Sequence, residues 1–506
     1  MSENLFTVIH NSIKKPEAVF IRRPDGTAIT YDALCQATAQ FANLLLQRGV
    51  KPGDRVAAQV EKSVEALFLY LATVRVGAAF LPLNSSYTGT ELAYFLKDAE
   101  PRVFVTDPGA ADAADQLCKE AGVAHLFTLA QDGTGSLMEA TEGAPINFED
   151  VPRKGDDLAA ILYTSGTTGR SKGAMITHEN LASNACALVE SWRFSESDIL
   201  LHALPIFHTH GLFVATNTAL LAGASMIFLP AFDSDEVIRL LPQATTMMGV
   251  PTFYSRLLTQ PEFDQALVQH MRLFVSGSAP LSAETHKAFQ ARTGHAILER
   301  YGMTETNMNT SNPYDGDRRA GTVGFPLPGV EIRLTDGETA SVVPQGEIGM
   351  IEIRGPNVFK GYWRLPEKTA AELREDGFFI SGDLGVIDKR GYLSIVGREK
   401  DLIISGGFNV YPAEVEAALE AIDGVSECAV IGAPHPDFGE GVTGVVVRDE
   451  GADLTESAIR AALKTELAAY KVPKRVFFVK SLPRNKMGKI EKKSLRETYK
   501  DAYGAT

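Results

Sequence analysis

Strand and helix patterns alternate along the first part of the chain, and this alternation restricts the possible folds more than any other feature. Residues 55–60 form an apolar run typical of a buried strand, residues 63–76 are predicted as a helix, and residues 78–83 form a second apolar run. Further strand patterns follow at 103–106 and 124–128. A strand–helix–strand order joins parallel strands, with the helices packed on the faces of the sheet. The sequence therefore predicts an α/β fold of stacked, mostly parallel sheets.

The pattern changes over residues 321–398, where short β runs are separated by turns. A small β-barrel-like subdomain or meander is predicted there. From Lys400 onward the pattern becomes that of a compact α+β segment. Because 506 residues exceed what one hydrophobic core supports, we expect two domains: a large N-terminal domain of residues 1–399 and a small, mobile C-terminal domain of residues 400–506.

The charge balance argues against several classes of partner. The chain has 49 Lys and Arg against 63 Asp and Glu, a net charge of −14, which disfavours binding to nucleic acids or to anionic membranes. The N-terminus lacks a basic segment followed by an apolar one, and no apolar run reaches spanning length. The cysteines show neither metal-ligand nor disulfide spacing: Cys35, Cys118, Cys186 and Cys428. We therefore expect a cytoplasmic protein.

Residues 163–173 (Tyr-Thr-Ser-Gly-Thr-Thr-Gly-Arg-Ser-Lys-Gly) directly follow the strand-like run 158–163. The glycines allow tight turns, the hydroxyl groups can donate hydrogen bonds, and Arg170 and Lys172 add positive charge. This combination suits a polyphosphate, although Gly/Ser/Thr runs are also typical of flexible linkers. It is not a Walker A loop, because Gly173 stands where that motif has Ser or Thr. Composition alone leaves both interpretations open.

Strand-like runs end in small or polar residues at 275–280 and 296–305. In open α/β sheets, ligands bind at the carboxyl ends of strands, so these runs predict a pocket. The segment 204–211 contains His208 and His210 in a turn-like context. Their spacing could suggest a metal, but no further His or Cys lies nearby in the sequence. A gating or substrate-contacting role is the better interpretation.

Six stretches of the chain, in order and spacing, resemble the motifs of the AMP-forming acyl-CoA synthetases. This adenylate-forming family also includes luciferases and the adenylation domains of peptide synthetases. The resemblance covers essentially the whole chain and implies a two-step reaction. A carboxylate attacks the α-phosphate of ATP and releases pyrophosphate, and the thiolate of coenzyme A (CoA) then displaces AMP. The matching stretches are residues 163–173, 275–280, 301–305, 381–383, 397–401 and 483–489.

The resemblance implies ATP and CoA as cosubstrates and Mg²⁺ as cofactor. Thr304 would hydrogen-bond the α-phosphate, and Glu305 would coordinate Mg²⁺ together with Thr168, since this hard cation prefers oxygen ligands. Lys172 would neutralise charge as pyrophosphate leaves. The residues implied at the β- and γ-phosphates are Thr164, Ser165, Gly166, Thr167, Thr168 and Gly169.

The adenosine would be held by the remaining nucleotide residues. Tyr301 would stack on adenine, and Asp383 would accept hydrogen bonds from the ribose hydroxyls with Arg398 beside it. The other residues implied at this site are Gly277, Ser278, Ala279, Glu299, Gly302 and Met303.

Lys489 corresponds to the family's catalytic lysine and would bridge the attacking carboxylate and the α-phosphate. The chain departs from the family at Lys486, where members typically carry a small hydroxyl or an amide. Acetylation of Lys489 would remove its charge, and a protein acetyltransferase and a deacetylase are the implied regulatory partners. Lys400 falls at the hinge position, and a rotation there would bring a CoA channel into place. That channel would contain Ser405, Gly406 and Gly407.

The acid is predicted from two arginines. In this family the residue before the Tyr-Gly pair contacts the acyl group and is commonly small or apolar, but here it is Arg300. Arg256 lies on a segment that also borders the acyl pocket. A buried guanidinium is costly unless an anion pairs with it, and its fork matches a carboxylate. We predict a short dicarboxylate, malonate or methylmalonate, bound by one or both arginines. The remaining volume would be shaped by Met248, Met303, His208, Thr209 and Ser276.

Several alternatives remain open on the sequence. The arginines could pair with protein carboxylates and face away from the pocket. The chain could then be a CoA ligase for another short-chain acid, or a free-standing adenylation module that loads a carrier protein. A non-catalytic nucleotide sensor is disfavoured because Lys172, Glu305, Asp383 and Lys489 are all present. If the chain is the predicted ligase for a short dicarboxylate, its partners are small molecules: malonate, ATP and CoA.

Overall fold

The computed structural model describes residues 3–164, 171–337, 339–406, 408–485 and 488–504. In these ranges the strands form four sheets, of nine, seven, four and five strands. The first sheet is parallel through its middle and antiparallel at both edges. In spatial order its strands are Phe325–Pro326, Asn307–Ser311, Leu298–Met303, Leu273–Ser276, Thr246–Gly249, Ile199–His202, Ser225–Phe228, Val19–Arg22 and Ala28–Thr30.

The second sheet is also mainly parallel, with an antiparallel hairpin at one side. Its strands, in spatial order, are Gly361–Tyr362, Lys172–Thr177, Leu158–Thr164, Ala79–Pro82, Arg55–Gln59, Val103–Thr106 and His125–Thr128. The parallel strands are almost fully buried and rich in apolar residues, as expected when helices cover both faces. The predicted α/β architecture is confirmed.

The third sheet occupies the region where the strand–helix alternation stops. It is antiparallel throughout, and its neighbouring strands follow chain order, as in a meander: Glu331–Thr335, Ile348–Arg354, Phe379–Ile387 and Leu393–Arg398. The fourth sheet is formed by Phe408–Val410, Ile403–Ser405, Gly439–Arg448 and Val425–His435, with Arg475–Val479 paired in parallel to Gly439–Arg448.

The helices lie between and around the sheets. The α-helices are Leu5–Ser12, Tyr31–Gln47, Val64–Arg75, Gly89–Ala99, Ala111–Ala121, Ser136–Thr141, His178–Ser191, Thr216–Ala222, Ser234–Leu240, Pro251–Leu258, Gln265–Val268, Ala283–Thr293, Pro366–Glu372, Pro412–Glu420, Glu456–Glu466 and Lys492–Thr498. Short 3₁₀ turns span Pro108–Ala110, Leu241–Gln243 and Glu399–Asp401, and a π-helix spans His210–Ala215.

The helix Val64–Arg75 lies at the centre of the main core. It is buried along its whole length, and Ser63 caps it by accepting a hydrogen bond from the backbone N–H of Ala66. Apolar side chains of both large sheets pack in the same cluster, so these sheets share one core. A separate cluster, drawn from residues 403–478, forms the core around the fourth sheet. Among helices in the described ranges, none combines the length and apolar character of a membrane-crossing segment.

The two strands that flank the Gly/Ser/Thr stretch pair in an antiparallel β-hairpin. The apolar run before it is the strand Leu158–Thr164, as predicted, and the next element is the antiparallel strand Lys172–Thr177. Thr164 and Lys172 face each other across the hairpin. The predicted phosphate ligands Ser165, Gly166, Thr167, Thr168 and Gly169 lie outside the described residues.

Candidate active site

Three neighbouring parallel strands of the first sheet carry the residues of the candidate site at or just after their carboxyl ends. Gly249 is paired with Ser276, and Ser276 with Glu299, so the ends of the first two strands lie level with Glu299 in the third. Arg300 therefore lies beside the turn that begins at Gly277. The carboxyl edge of a parallel sheet is the usual ligand site in such folds, and the predicted pocket falls there.

Arg300 is buried at this edge, with an exposed fraction of 3%. A methyl group added at Gly277 would overlap its guanidinium, so the arginine lies directly against the glycine backbone. Its Nε and Nη2 atoms have no hydrogen-bond partner within the described residues. Burial lowers the pKa of Arg300 to about 9. The side chain thus carries the electrostatic cost of an unpaired buried cation.

Other buried polar atoms near Arg300 also lack partners in the described part of the chain: His208 Nδ1, Thr209 Oγ1, His210 Nε2 and Ser276 Oγ. Burial, reinforced by Lys489 and Arg300, lowers the pKa of His208 to about 3. Burial and Arg300 likewise hold the pKa of His210 well below its usual range. Both imidazoles are therefore neutral at pH 7. The site surrounds the Arg300 cation with neutral polar groups, an environment that suits an anion with further oxygen atoms.

Arg256, the second arginine predicted to bind the acid, has surroundings unlike those of Arg300. It belongs to the helix Pro251–Leu258, whose buried residues are Tyr254 and Leu257. Successive helical residues point about 100° apart, so burying Tyr254 and Leu257 turns Arg256 outward. Its side chain is exposed. Arg300 is therefore the buried member of the predicted pair.

Lys489 approaches the same pocket from the C-terminal segment. Burial and the charge of Arg398 lower its pKa to about 8, with smaller effects from Asp383, Arg300 and Glu305. A tight turn presents the lysine, because the Gly488 N–H donates to the Asn485 carbonyl at 2.9 Å and Gly488 has φ +74°. A methyl group at Gly488 would lie 3.0 Å from Thr252 Oγ1. The turn therefore packs closely against the helix Pro251–Leu258.

Asp383 is held between two partners in the third sheet and the first. The Tyr301 hydroxyl donates to Asp383 Oδ2 at 2.6 Å, and Arg398 Nε lies 3.0 Å from Asp383 Oδ1. Strand register places Arg398 directly opposite Asp383. The carboxylate is buried, whereas the Arg398 side chain is 45% exposed. Both predicted ribose residues and the predicted adenine residue therefore meet at one point.

Glu305 lies beside Thr164, the last residue of the strand Leu158–Thr164, and burial raises its pKa. Thr164 Oγ1 is 3.5 Å from Glu305 Oε1, and the Tyr362 hydroxyl is 3.0 Å from the same oxygen. Lys172 Nζ lies 4.1 Å from the centre of the Tyr362 ring and 3.6 Å from Glu372 Oε1. The predicted metal ligand and the predicted phosphate lysine thus lie on either side of Tyr362.

These residues fit a magnesium ion that is bound largely through phosphate. Within the described ranges, no cluster of three or more His, Cys, Asp or Glu could hold a metal. Magnesium commonly uses one or two carboxylates, water and substrate phosphates instead. A buried carboxylate with a raised pKa, such as Glu305, gains stability when a cation arrives. The donor set therefore suits Mg²⁺ together with ATP; the second predicted ligand, Thr168, lies outside the described residues.

The other predicted adenosine residues form the turns around this site. Ser278 adopts a left-handed backbone conformation (φ +72°), and its hydroxyl lies 3.1 Å from His210 Nδ1. Glu299 is buried; its carboxyl accepts a hydrogen bond from the Leu281 N–H at 3.2 Å, and burial raises its pKa to about 8. A side chain at Gly302 would overlap the Asn307 carbonyl. Ala279 and Met303 are half-buried at the same strand ends, as is Thr304, the residue predicted at the α-phosphate.

The predicted hinge and CoA residues lie where the third sheet joins the fourth, with Lys400 close to Arg398 and Asp383. Lys400 is exposed in the 3₁₀ turn Glu399–Asp401, which joins the third sheet to the fourth. Ser405 is buried and pairs with Gly439, and the Gly406 N–H donates to the Phe438 carbonyl at 2.9 Å. Gly407 lies outside the described residues. Ser405 and Gly406 therefore make their contacts within the fourth sheet.

Sequence reasoning missed three residues of the site. His210 was given only an unspecified gating or substrate-contacting role, without the contact to Ser278 and the unpaired buried nitrogen that the structure shows. Tyr362 and Glu372 connect Glu305 to Lys172, with 2.6 Å between the Tyr362 hydroxyl and Glu372 Oε2. No local pattern marks Tyr362 or Glu372, because they lie more than fifty residues from Glu305 in sequence.

Comparison with known proteins gives two family matches. Residues 9–363 match the family described as "AMP-binding enzyme", and residues 414–489 match "AMP-binding enzyme C-terminal domain". Of solved structures, ATP-bound MatB from Rhodopseudomonas palustris is 58% identical, with a TM-score of 0.98 over 99% of this chain and 100% of that chain.

Curated relatives extend the comparison to named activities. A feruloyl-CoA synthase from an Amycolatopsis species is 38% identical over 488 residues, covering 96% of both chains. A malonate–CoA ligase from Arabidopsis thaliana is 32% identical, covering 94% of this chain and 85% of that protein. These relatives act on very different acids, so the acid must be argued from the pocket itself.

Proposed function

The chain belongs to the AMP-binding enzyme family, and we propose that it is an AMP-forming ligase that joins malonate to CoA. In the first step, a malonate carboxylate oxygen attacks the α-phosphorus of ATP, and pyrophosphate leaves. In the second step, the CoA thiolate attacks the carbonyl carbon of malonyl-AMP, and AMP leaves. ATP, CoA and an acid are the substrates of ligases of this kind, as the named relatives also indicate.

One observation carries the choice of malonate: Arg300 is a buried guanidinium without a partner in the described residues. An aromatic or fatty acyl group placed beside it would leave the charge unpaired. The second carboxylate of a short dicarboxylate would supply the missing anion and accept two N–H bonds. Thr209 and Ser276 offer hydroxyls for the remaining oxygen atoms. Methylmalonate differs from malonate by one methyl group, a change worth only about tenfold in an apolar pocket.

For adenylation we propose that Lys489 stabilises the charge shared by the attacking carboxylate and the α-phosphate. Its lowered pKa, its approach on a tight turn and its electrostatic contact with Arg300 support this role. Thr304 would donate to the α-phosphate. Asp383, held by Tyr301 and Arg398, would accept hydrogen bonds from the ribose, and Tyr301 would form one side of the adenine slot.

We further propose that Glu305 holds Mg²⁺ between the hairpin and the phosphates, with Thr168 as the second protein ligand. When bound, the ion would neutralise charge on the phosphate oxygens. Lys172, oriented by the Tyr362 ring and Glu372, would do the same for the departing pyrophosphate. The flanking hydroxyls of Thr164 and Tyr362 would keep the Glu305 carboxylate directed at the metal.

For the second step we propose that residues 400–506 rotate about Lys400 as a domain. The separate apolar core of residues 403–478 supports such a unit, and the exposed 3₁₀ turn supports a hinge. Rotation would withdraw Lys489 and bring in the Ser405–Gly406–Gly407 turn, which offers little side-chain bulk beside a thiol. Acetylation of Lys489 would abolish its charge and stop adenylation; chemically acetylated protein should therefore fail to make malonyl-AMP.

A substrate panel tests the proposed function. Pyrophosphate release is measured at saturating ATP with malonate, methylmalonate, succinate, acetate and ferulate, each with CoA. We expect the highest kcat/KM for malonate or methylmalonate, and at least about a hundredfold lower value for acetate, which lacks the second carboxylate. A preference for ferulate or acetate would contradict the proposal. Replacing CoA by a carrier protein separates a ligase from a carrier-loading module.

A further inference from the structure

Lys62 is a buried lysine that the proposed mechanism does not use. Its side chain is 5% exposed, and no carboxylate lies within ion-pair distance of it in the described ranges. Its Nζ lies 2.9 Å from His202 Nδ1, donates to the His202 carbonyl at 2.8 Å, and stands 4.1 Å from the centre of the Phe228 ring. A lysine is costly to bury without an anionic partner. The position of Lys62 beside His202 and Phe228 therefore needs an explanation.

The two contacts of the His202 ring show which of its nitrogens carries the proton. A carbonyl oxygen can only accept, and Nε2 is 2.9 Å from that of Gly211, so Nε2 carries the hydrogen and donates it. Nδ1 then accepts from Lys62. Lys62, His202 and the Gly211 carbonyl thus form a hydrogen-bonded chain, and the Gly211 oxygen also accepts from the Thr216 hydroxyl at 2.9 Å. All three lie in the interior.

Gly211 belongs to the segment that forms one wall of the acid pocket. The π-helix His210–Ala215 begins immediately after His208 and Thr209, and the Leu212 N–H donates to the His208 carbonyl at 3.0 Å. A side chain at Gly211 would overlap the Pro205 carbonyl, so the turn is closely packed. π-Helical turns cost stability and occur mostly at functional sites. An added bond to the Gly211 carbonyl would hold this turn in place.

We propose that Lys62 is a positioning residue for the acid pocket, acting through His202 and the Gly211 carbonyl on the His208–His210 wall. The inference rests on the proposed function, because that wall faces Arg300 and the bound dicarboxylate. Without Lys62, the buried Nδ1 of His202 has no donor, and the ring is no longer held with Nε2 directed at the Gly211 oxygen. The wall would then lose its fixed position. Lys62 itself touches neither the acid nor ATP.

Lys62→Met tests the proposal, because methionine keeps the length and loses the donor. We expect the KM for malonate to rise about tenfold, the effect of losing one well-placed buried hydrogen bond, while the KM for ATP changes less than about twofold. Lys15→Met is the matched control, since Lys15 is 59% exposed and pairs with Glu196 on the surface. A Lys62→Met variant whose malonate KM is unchanged, even if its melting temperature falls, overturns the proposal.

A second variant pair makes the test independent of folding problems. His202→Leu breaks the same chain at its middle, and Lys62→Met/His202→Leu removes both polar partners together, which is the least damaging way to lose a buried hydrogen bond. If the two residues act as one unit, the double variant raises the malonate KM no more than either single variant. Multiplied effects would overturn the inference. Turnover of malonate by the unmodified enzyme, measured alongside, tests the proposed function separately.

Discussion

Replacing Arg300 by methionine is expected to stabilise the free protein and to remove malonate recognition. The guanidinium is 3% exposed, has two unpaired nitrogens in the described part of the chain, and has a pKa lowered to about 9 by burial. Methionine has a similar length and carries no charge. It would fill the space beside Gly277 without any need for a partner.

The magnitudes follow from the burial of the charge. At about 1.4 kcal/mol per pH unit, the lowered pKa corresponds to roughly 5 kcal/mol of uncompensated desolvation. Replacing buried charges by apolar residues recovers about 1–4 kcal/mol in practice, so a higher melting temperature is expected. The lost contact with the second carboxylate should cost about 2–5 kcal/mol. For malonate, kcat/KM should fall by about 10²-fold or more, mainly through KM.

The assay measures pyrophosphate release with malonate and with butyrate, which has a methyl group in place of the second carboxylate. Arg300→Met should lose activity on malonate and gain on butyrate relative to the unmodified enzyme. Malonate together with a non-hydrolysable ATP analogue should raise the melting temperature of the unmodified enzyme only. Gly277→Ala should act in the same direction, because its methyl group displaces the guanidinium.

Arg256→Met is the matched control, because it makes the same chemical change as Arg300→Met at an exposed position, in the helix Pro251–Leu258. We expect it to leave the malonate-to-butyrate ratio within about threefold of the unmodified enzyme, since exposed charges contribute little. The reasoning would be refuted if Arg300→Met kept its preference for malonate. A loss of preference in Arg256→Met alone would move the recognition to the exposed arginine.

Two further predictions concern the reacting groups. The pKa of Lys489 is lowered to about 8, so its ammonium is lost as pH rises through 8. Above that value, kcat/KM for adenylation should fall about tenfold per pH unit. A flat profile of pyrophosphate release from pH 7 to 9 would disprove the role. Burial raises the pKa of Glu305. Glu305→Gln keeps the shape of this side chain but removes its negative charge, so half-maximal activity should need roughly tenfold more Mg²⁺. Identical magnesium titrations for the variant and the unmodified enzyme would exclude Glu305 as a ligand.

Much of the fold follows from local patterns. The run 103–106 is a strand with the predicted bounds, and the helix predicted at 63–76 is Val64–Arg75. Such patterns work because a buried parallel strand must be apolar on both faces, and a helix needs a cap where its first N–H groups lack partners. The nucleotide chemistry was predictable only from the six motifs together, since a Gly/Ser/Thr loop by itself is equally typical of a flexible linker.

The direction of individual side chains was not predictable in the same way. Arg256 and Arg300 looked equivalent in sequence, yet one is exposed and the other buried. Their difference depends on which face of the helix Pro251–Leu258 packs inward and on the absence of a side chain at Gly277. Neither property can be read from the residues next to the arginines.

The sequence by itself determined the strand–helix order through its short-range periodicity. It indicated the family and the types of group available for catalysis through the order and spacing of its six motifs. The tertiary structure alone decided which groups meet. Lys62 contacts His202 across 140 residues, and Tyr362 contacts Glu305 across 57. Contacts of this kind form only when separate elements pack, and the burial that packing imposes is what leaves Arg300 without water and in need of an anion.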